Sequence, residues 1–469
     1  MRPSDAGDLI NLIPRKGFVE MRGGYESFAT NVGSGDVDLV VEYDSGSTQQ
    51  FLAASSTNIY NITAGGGSPT SLGSGFTNGR WMTAIMNGVM AFVNGADTPQ
   101  QWDGTTLSSL SVTGTGLTAT DIIGVHIFKG RSYFWENNSQ SFYYSAVNTL
   151  GGATTEFALG EIAMKGGRLL RMMSWTVDGG AGPDDYAVFI MDSGEVIVYQ
   201  GDDPGASSSW GLVGIYDIGR PVSDRAMTKF GGEIALVNEN DIVFLPSAFN
   251  QVSPPQTKLQ SAIASAVDNF GNNDGWEVLV YQKYRLIMIN VPTGSSPDMY
   301  DQYVMDLNTL AGCRFTNLPS SSWGLYQGNA YFGGQDGTVW RFNSTAADDG
   351  SDIDCEARMA WTDLGLPANK QLTSVRPVFE VEDSLSLGVA AGYDFTEVTA
   401  SSPSSSASGG TPWGSSWGSP WGTSTRIQQE WQIVSGFGSH ISLVLRFSRQ
   451  GDTPRWLRTD WLVKPQGNL

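Results

Sequence analysis

The chain has 469 residues, with 27 Lys+Arg against 47 Asp+Glu and a formal net charge of −20. The acid excess excludes non-specific wrapping of nucleic acid, which needs cationic patches. With 40% hydrophobic and only 16% charged residues, a disordered acidic chain is excluded too.

Met1-Arg2-Pro3-Ser4-Asp5 opens the chain without an apolar run, and no stretch of about 18 apolar residues follows, so no leader or membrane span is expected. Residues 1–30 read as an N-terminal arm. From there the pattern is short alternating runs bounded by Gly, Asp, Asn and Ser, the mark of strands and tight turns. Phe51–Ala54 with Ile59–Ile62, and Val89–Val93 with Gln101–Trp102, are the first pairs. Then come His126–Phe128 with Arg131–Trp135, and Tyr186–Ile190 with Glu195–Tyr199. Glu233–Val237 with Ile242–Leu245, Trp276–Val280 with Arg285–Ile289, and Ala330–Phe332 with Thr338–Phe342 complete the series.

These hairpins start roughly 40 to 60 residues apart, which suits four-stranded propeller blades. Residues 31–345 therefore read as an irregular β-propeller of about six blades, with room for a seventh. A set of β-sandwiches is the competing reading. One helix interrupts the pattern near 256–270, where Leu259, Ile263, Val267 and Phe270 recur at helical spacing before Gly271. Residues 346–469 read as a smaller C-terminal, β-sandwich-like domain with a Ser/Gly/Trp-rich loop at 400–425. The fold class is all-β.

Few residues suggest chemistry. A zinc site or a Ser-His-Asp triad would have to use His126 or His440, and no GxSxG elbow is present. Cys313 and Cys355 form no CxxC site. The acidic clusters Asp184-Asp185, Asp202-Asp203 and Asp348–Asp354 sit among Gly, Pro and Ser, where Asp caps local backbone donors. Calcium at the 348–354 bridge is the minority reading. Gly334–Trp340 faintly resembles an Asp-box turn of sialidase-type propellers with altered spacing, and sequence alone does not gather the arginines such chemistry needs. Trp413, Trp417 and Trp421 recur every four residues among Gly and Pro, which deny a helix. They read either as an aromatic contact surface or as rings folded back on their own domain.

The opening Asn11-Leu12-Ile13-Pro14-Arg15-Lys16-Gly17-Phe18-Val19-Glu20-Met21-Arg22-Gly23-Gly24-Tyr25 resembles the start of tail hub and nozzle proteins of short-tailed bacteriophages. Tyr186–Tyr199 with Gly201-Asp202-Asp203-Pro204, Thr228–Gly232 and Tyr331–Gly334 are similar to the same group. The resemblance, to the packaged-DNA stabilisation family, implies a structural virion protein and no enzyme or cofactor. Its members assemble as a homo-hexameric ring below the portal and head-to-tail adaptor. They continue the DNA channel, help retain packaged DNA and anchor tail fibres or a needle. It implies location in the virion tail after assembly in the host cytoplasm, and DNA that passes without specific binding. An acidic lumen suits that passage. Arg15, Lys16, Arg22, Trp413, Trp417 and Trp421 are the candidate subunit or partner contacts; no channel-lining residue can be named. The alternatives are a carbohydrate- or receptor-binding propeller and, third, a glycosidase-type propeller enzyme.

Overall fold

The computed structural model describes residues 6–178, 183–245, 259–294, 300–402 and 425–465. The chain divides into two compact units that alternate along the sequence. One comprises residues 27–300 and 319–340, the other residues 1–26, 301–318 and 341–469.

The first unit is a β-propeller. Its sheets are antiparallel meanders whose strands follow chain order: Val37–Asp44 to Thr70–Ser74, Met82–Met86 to Leu107–Ser109, Ile122–Phe128 to Gly152–Ala158, and Leu169–Asp178 to Trp210–Asp217. A three-stranded sheet, Met227–Phe230 to Ile242–Phe244, and the hairpin Glu277–Tyr281/Leu286–Pro292 come next. Ser322–Tyr326 opens the last sheet, in which residues 27–29 add an N-terminal strand. The described residues thus supply seven sheet positions. Turn chemistry sets the meanders. Lys129-Gly130 and Asn87-Gly88 both carry positive φ at two successive residues, the type I′ geometry whose twist matches the strands it joins.

Apolar clusters between neighbouring sheets hold the ring. Tyr43 and Leu52 of the first sheet pack with Trp81 and Phe92 of the second. Phe142 and Phe189 stack at 4.6 Å between the third and fourth. Val188 and Val198 meet Met227 and Leu236 between the fourth and fifth. Phe51 of the first sheet stacks on Tyr326 of the last at 4.7 Å, closing the circle. Each fully buried ring or branched side chain contributes about 1.5–3 kcal/mol, so these seams outweigh any single polar contact. First strands neighbour first strands: Ser322–Tyr326 lies beside Val37–Asp44, and Glu277–Tyr281 beside both Met227–Phe230 and Ser322–Tyr326. The first strand of each sheet is therefore the innermost.

The helix runs from Gln260 to Phe270 and buries Ile263 and Ala266. Residues 256–258 of the expected helix lie outside the described residues.

The second unit is sandwich-like. One sheet runs, in order, Tyr300–Asp306, Gly312–Phe315, Ala6–Ile10, Ile353–Met359, Ile441–Arg449 and Gly388–Tyr393. The other pairs the hairpin Leu12–Arg15/Phe18–Met21 with Arg455–Pro465, Lys370–Val381 and Arg426–Gln429, while Gln432–Gly438 also pairs Lys370–Val381. Phe379 meets Phe447 edge-on at 5.7 Å between the sheets. Residues 6–21, read from sequence as an arm, are paired strands here. The physical reason is polar: Asn11 donates to Thr316 Oγ1 and to the Asp354 carbonyl, tying the segment to two distant stretches.

Candidate functional site

Two regions stand out, one in each unit. In the propeller, charged residues gather at the starts of the innermost strands. Asp36 and Asp38 flank the start of the first sheet, and Arg80 precedes the second. His126 lies in the third, Arg171 in the fourth, Asp224-Arg225 before the fifth, and Glu277 in the sixth. Arg225 donates from Nη1 to the Asp38 carbonyl at 2.6 Å and from Nη2 to the Trp81 carbonyl at 3.0 Å. It therefore links the fifth sheet to the first and second across the ring. Arg171 donates to the Asp224 carbonyl at 2.5 Å, and Glu277 accepts the Trp323 backbone N–H at 2.8 Å.

The electrostatics there are finely opposed. Burial pushes the Glu277 and Asp38 carboxyls up, against the pull of Arg225 and Arg80. For Asp224 burial is again the largest effect, but Arg225, Arg171 and Arg80 together prevail and hold its carboxyl below the usual range. His126 is pushed down to about 3, by burial first and by Arg171 and Lys229 next. Its Nε2 is buried, with no hydrogen-bond partner among the described residues. Sequence reasoning missed this constellation. The legible signal was the recurrence of a charged residue at or just before the first strand of successive meanders.

In the second unit, the outer face of the sheet built on Lys370–Val381 is apolar. Along Gln432–Gly438 exposure alternates, and Ile433 is 87% and Phe437 59% exposed. In register, Ser374 lies between Ile433 and Leu462. The Arg376 guanidinium covers the Trp431 ring at 5.0 Å and pairs with Asp460 at 2.7 Å. Arg455 and Arg458 lie on Arg455–Pro465 and Arg426 on Arg426–Gln429 of the same sheet, so a basic and apolar sheet occurs in a chain of net −20.

The residues singled out in the sequence distribute unevenly. Arg22 is no surface contact of its unit: it is fully buried, and all five of its N–H groups are bound. Arg15 is also largely buried, paired with Glu20 at 2.7 Å and with Asp306. Lys16 is exposed in the turn after it. Trp413, Trp417 and Trp421 lie outside the described residues. Asp185 binds Lys129 and Thr176, and Asp203 pairs with Arg131 and caps Gly205. Asp348 pairs with Arg22. Among the described residues, no group of three or more His, Cys, Asp or Glu side chains is placed to hold a metal ion. Cys313 and Cys355 are buried free thiols whose pKa burial raises. A cavity of about 220 Å³ in the second unit has a charged lining that is already paired, Glu356 with Arg446 and Asp354 with Ser448.

No family model matches the chain, and no curated protein matches it. Solved structures do. The computationally designed Ika8 protein is 10% identical, over 72% of this chain and 96% of that chain, with a TM-score of 0.41. BBS1N in complex with ARL6DN is 9% identical, over 70% and 99%, with a TM-score of 0.45. YCF48 bound to D1 peptide is 11% identical, over 72% and 99%, with a TM-score of 0.31. Among the described residues, no helix is long and apolar enough to cross a membrane.

Proposed function

We propose that this protein is a structural component of a short bacteriophage tail, a ring-forming hub or nozzle that continues the DNA channel. The resemblance of residues 11–25 to that group motivates the reading. The observation that carries it is the exposed apolar face on Gln432–Gly438 and its neighbours. Exposed patches of this kind mark protein contacts, because leaving them in water forgoes burial of about 1.5–3 kcal/mol per large side chain. A net charge of −20 per copy makes any assembled ring strongly negative as a whole, and acidic residues facing the lumen would suit the passage of DNA without capture. Adaptor, fibres or needle, and retention of packaged DNA, belong to the same reading.

Electron microscopy with native mass tests it. The purified protein is expected to form six-fold rings with a central hole. Ile433→Asp with Phe437→Asp, both far exposed, should leave folded single copies. A wild-type protein that stays a single copy at tens of micromolar, or a double variant that still forms rings, would sink the assignment of this face.

A further inference from the structure

We propose that the inner ends of the propeller sheets form a binding site for a small hydroxy-carboxylate, a monoanion whose carboxylate meets Arg80, Arg171 and Arg225 while its hydroxyls meet Asp38, Asp224 and Glu277. This goes beyond the tail assignment and does not depend on it.

The donors come first. Each guanidinium carries five N–H groups. Among the described residues, Arg171 donates one and Arg225 two, all three to backbone carbonyls. The Arg80 side chain holds no hydrogen bond there, and none of the three arginines holds an ion pair. Yet Asp224 and Glu277 feel the charge of all three at longer range, and Asp38 that of Arg225 and Arg80. Opposite charges thus face one another without touching. These side chains are partly exposed rather than sealed in the core, so their unused donors and acceptors are open to a molecule that satisfies both sides.

The acceptors narrow the class. Asp224 takes the Ser223 hydroxyl and Glu277 the Trp323 N–H, which leaves further lone pairs on each carboxylate. A planar carboxylate matches the fork of a guanidinium. Hydroxyls beside it can donate to the three acids. A dianion such as phosphate is repelled by those acids, and a neutral sugar leaves the guanidinium groups unmatched. His126 supplies an independent sign: its buried Nε2, within reach of the Arg171 charge, has no hydrogen-bond partner among the described residues.

Isothermal titration calorimetry on the full chain at neutral pH tests this, with glucuronate as probe and glucose and inorganic phosphate as comparators. Glucuronate should bind at about millimolar affinity or tighter, and each comparator about tenfold more weakly. Arg80→Gln should weaken glucuronate binding about tenfold or more, since a charged hydrogen-bonding partner is lost. Arg80→Lys, which keeps the charge and loses the fork, should fall between them. Arg426→Ala, in the other unit, should bind like wild type. Thermal melts of each variant confirm that it is folded. No heat with glucuronate up to about 10 mM would overturn the proposal. So would wild-type affinity in a folded Arg80→Gln, or phosphate binding as tight as glucuronate, which would reduce the site to unselective anion attraction.

Discussion

Replacing Arg22 with alanine is expected to remove about 3–5 kcal/mol from the stability of the unit that holds it. The side chain is fully buried, and every donor is used. Nε reaches Asn11 Oδ1 at 2.8 Å, Nη1 reaches the Gly23 carbonyl and Asp348 Oδ1, and Nη2 reaches the Thr316 carbonyl and Asp348 Oδ2 at 2.6 Å. Phe315 lies beneath the guanidinium at 5.8 Å. Burial raises the Asp348 carboxyl despite Arg22, so the pair itself is no large net stabiliser. The cost arises because alanine strands Asp348, 6% exposed, with no counter-charge. Arg22→Lys should recover little, since an ammonium cannot fork to both carboxylate oxygens and also reach Asn11 and Thr316. Urea unfolding followed by a probe in this unit measures the effect. A loss under about 1 kcal/mol would show that the network is ornamental.

The same pair shows where sequence reading reached its limit. Asp348 read as part of an acidic turn and Arg22 as a contact for a partner; they bind each other across 326 residues. Nothing local announces that. What was legible was local: alternation with Gly, Asn and Asp at the turns gave the meanders, because a type I′ turn and a strand period of two are written in neighbouring residues. The helix at Gln260–Phe270 and the strands after Cys355 were legible for the same reason. Residues 6–21 were not, since their partner strands lie at 312–315, 353–359 and 455–465. The gathering of Arg80, Arg171 and Arg225 was hidden likewise. It follows from ring closure, which places the start of every first strand on one side of the propeller.

Stability of the propeller should fall by about 1–2 kcal/mol between pH 7 and pH 5 through His126 alone. In the unfolded chain this imidazole takes a proton near pH 6.5, whereas in the fold it stays neutral down to about 3. A depressed histidine favours the folded state least where the unfolded state is protonated and the folded state is not. Its contribution therefore declines as pH drops below 6.5, and the decline stops near 3. Burial is the first cause, and the positive charges of Arg171 and Lys229 are the next. Asp38 and Glu277 at the same inner rim act in the opposite sense. Their raised carboxyls release protons later on folding, so acidification through their range restores stability. The wild-type curve sums these slopes, and only its difference from a variant isolates the histidine. His126→Phe keeps a ring and removes the titration. Subtracting its urea stability from that of the wild type at each pH should give a line that is level above about 7 and drops steadily toward pH 5. A flat difference across that interval would mean that the imidazole is hydrated in solution and that the inner rim admits water freely. The donors of Arg80 and Arg171 would then be satisfied without a ligand, so this curve also bears on the hydroxy-carboxylate site.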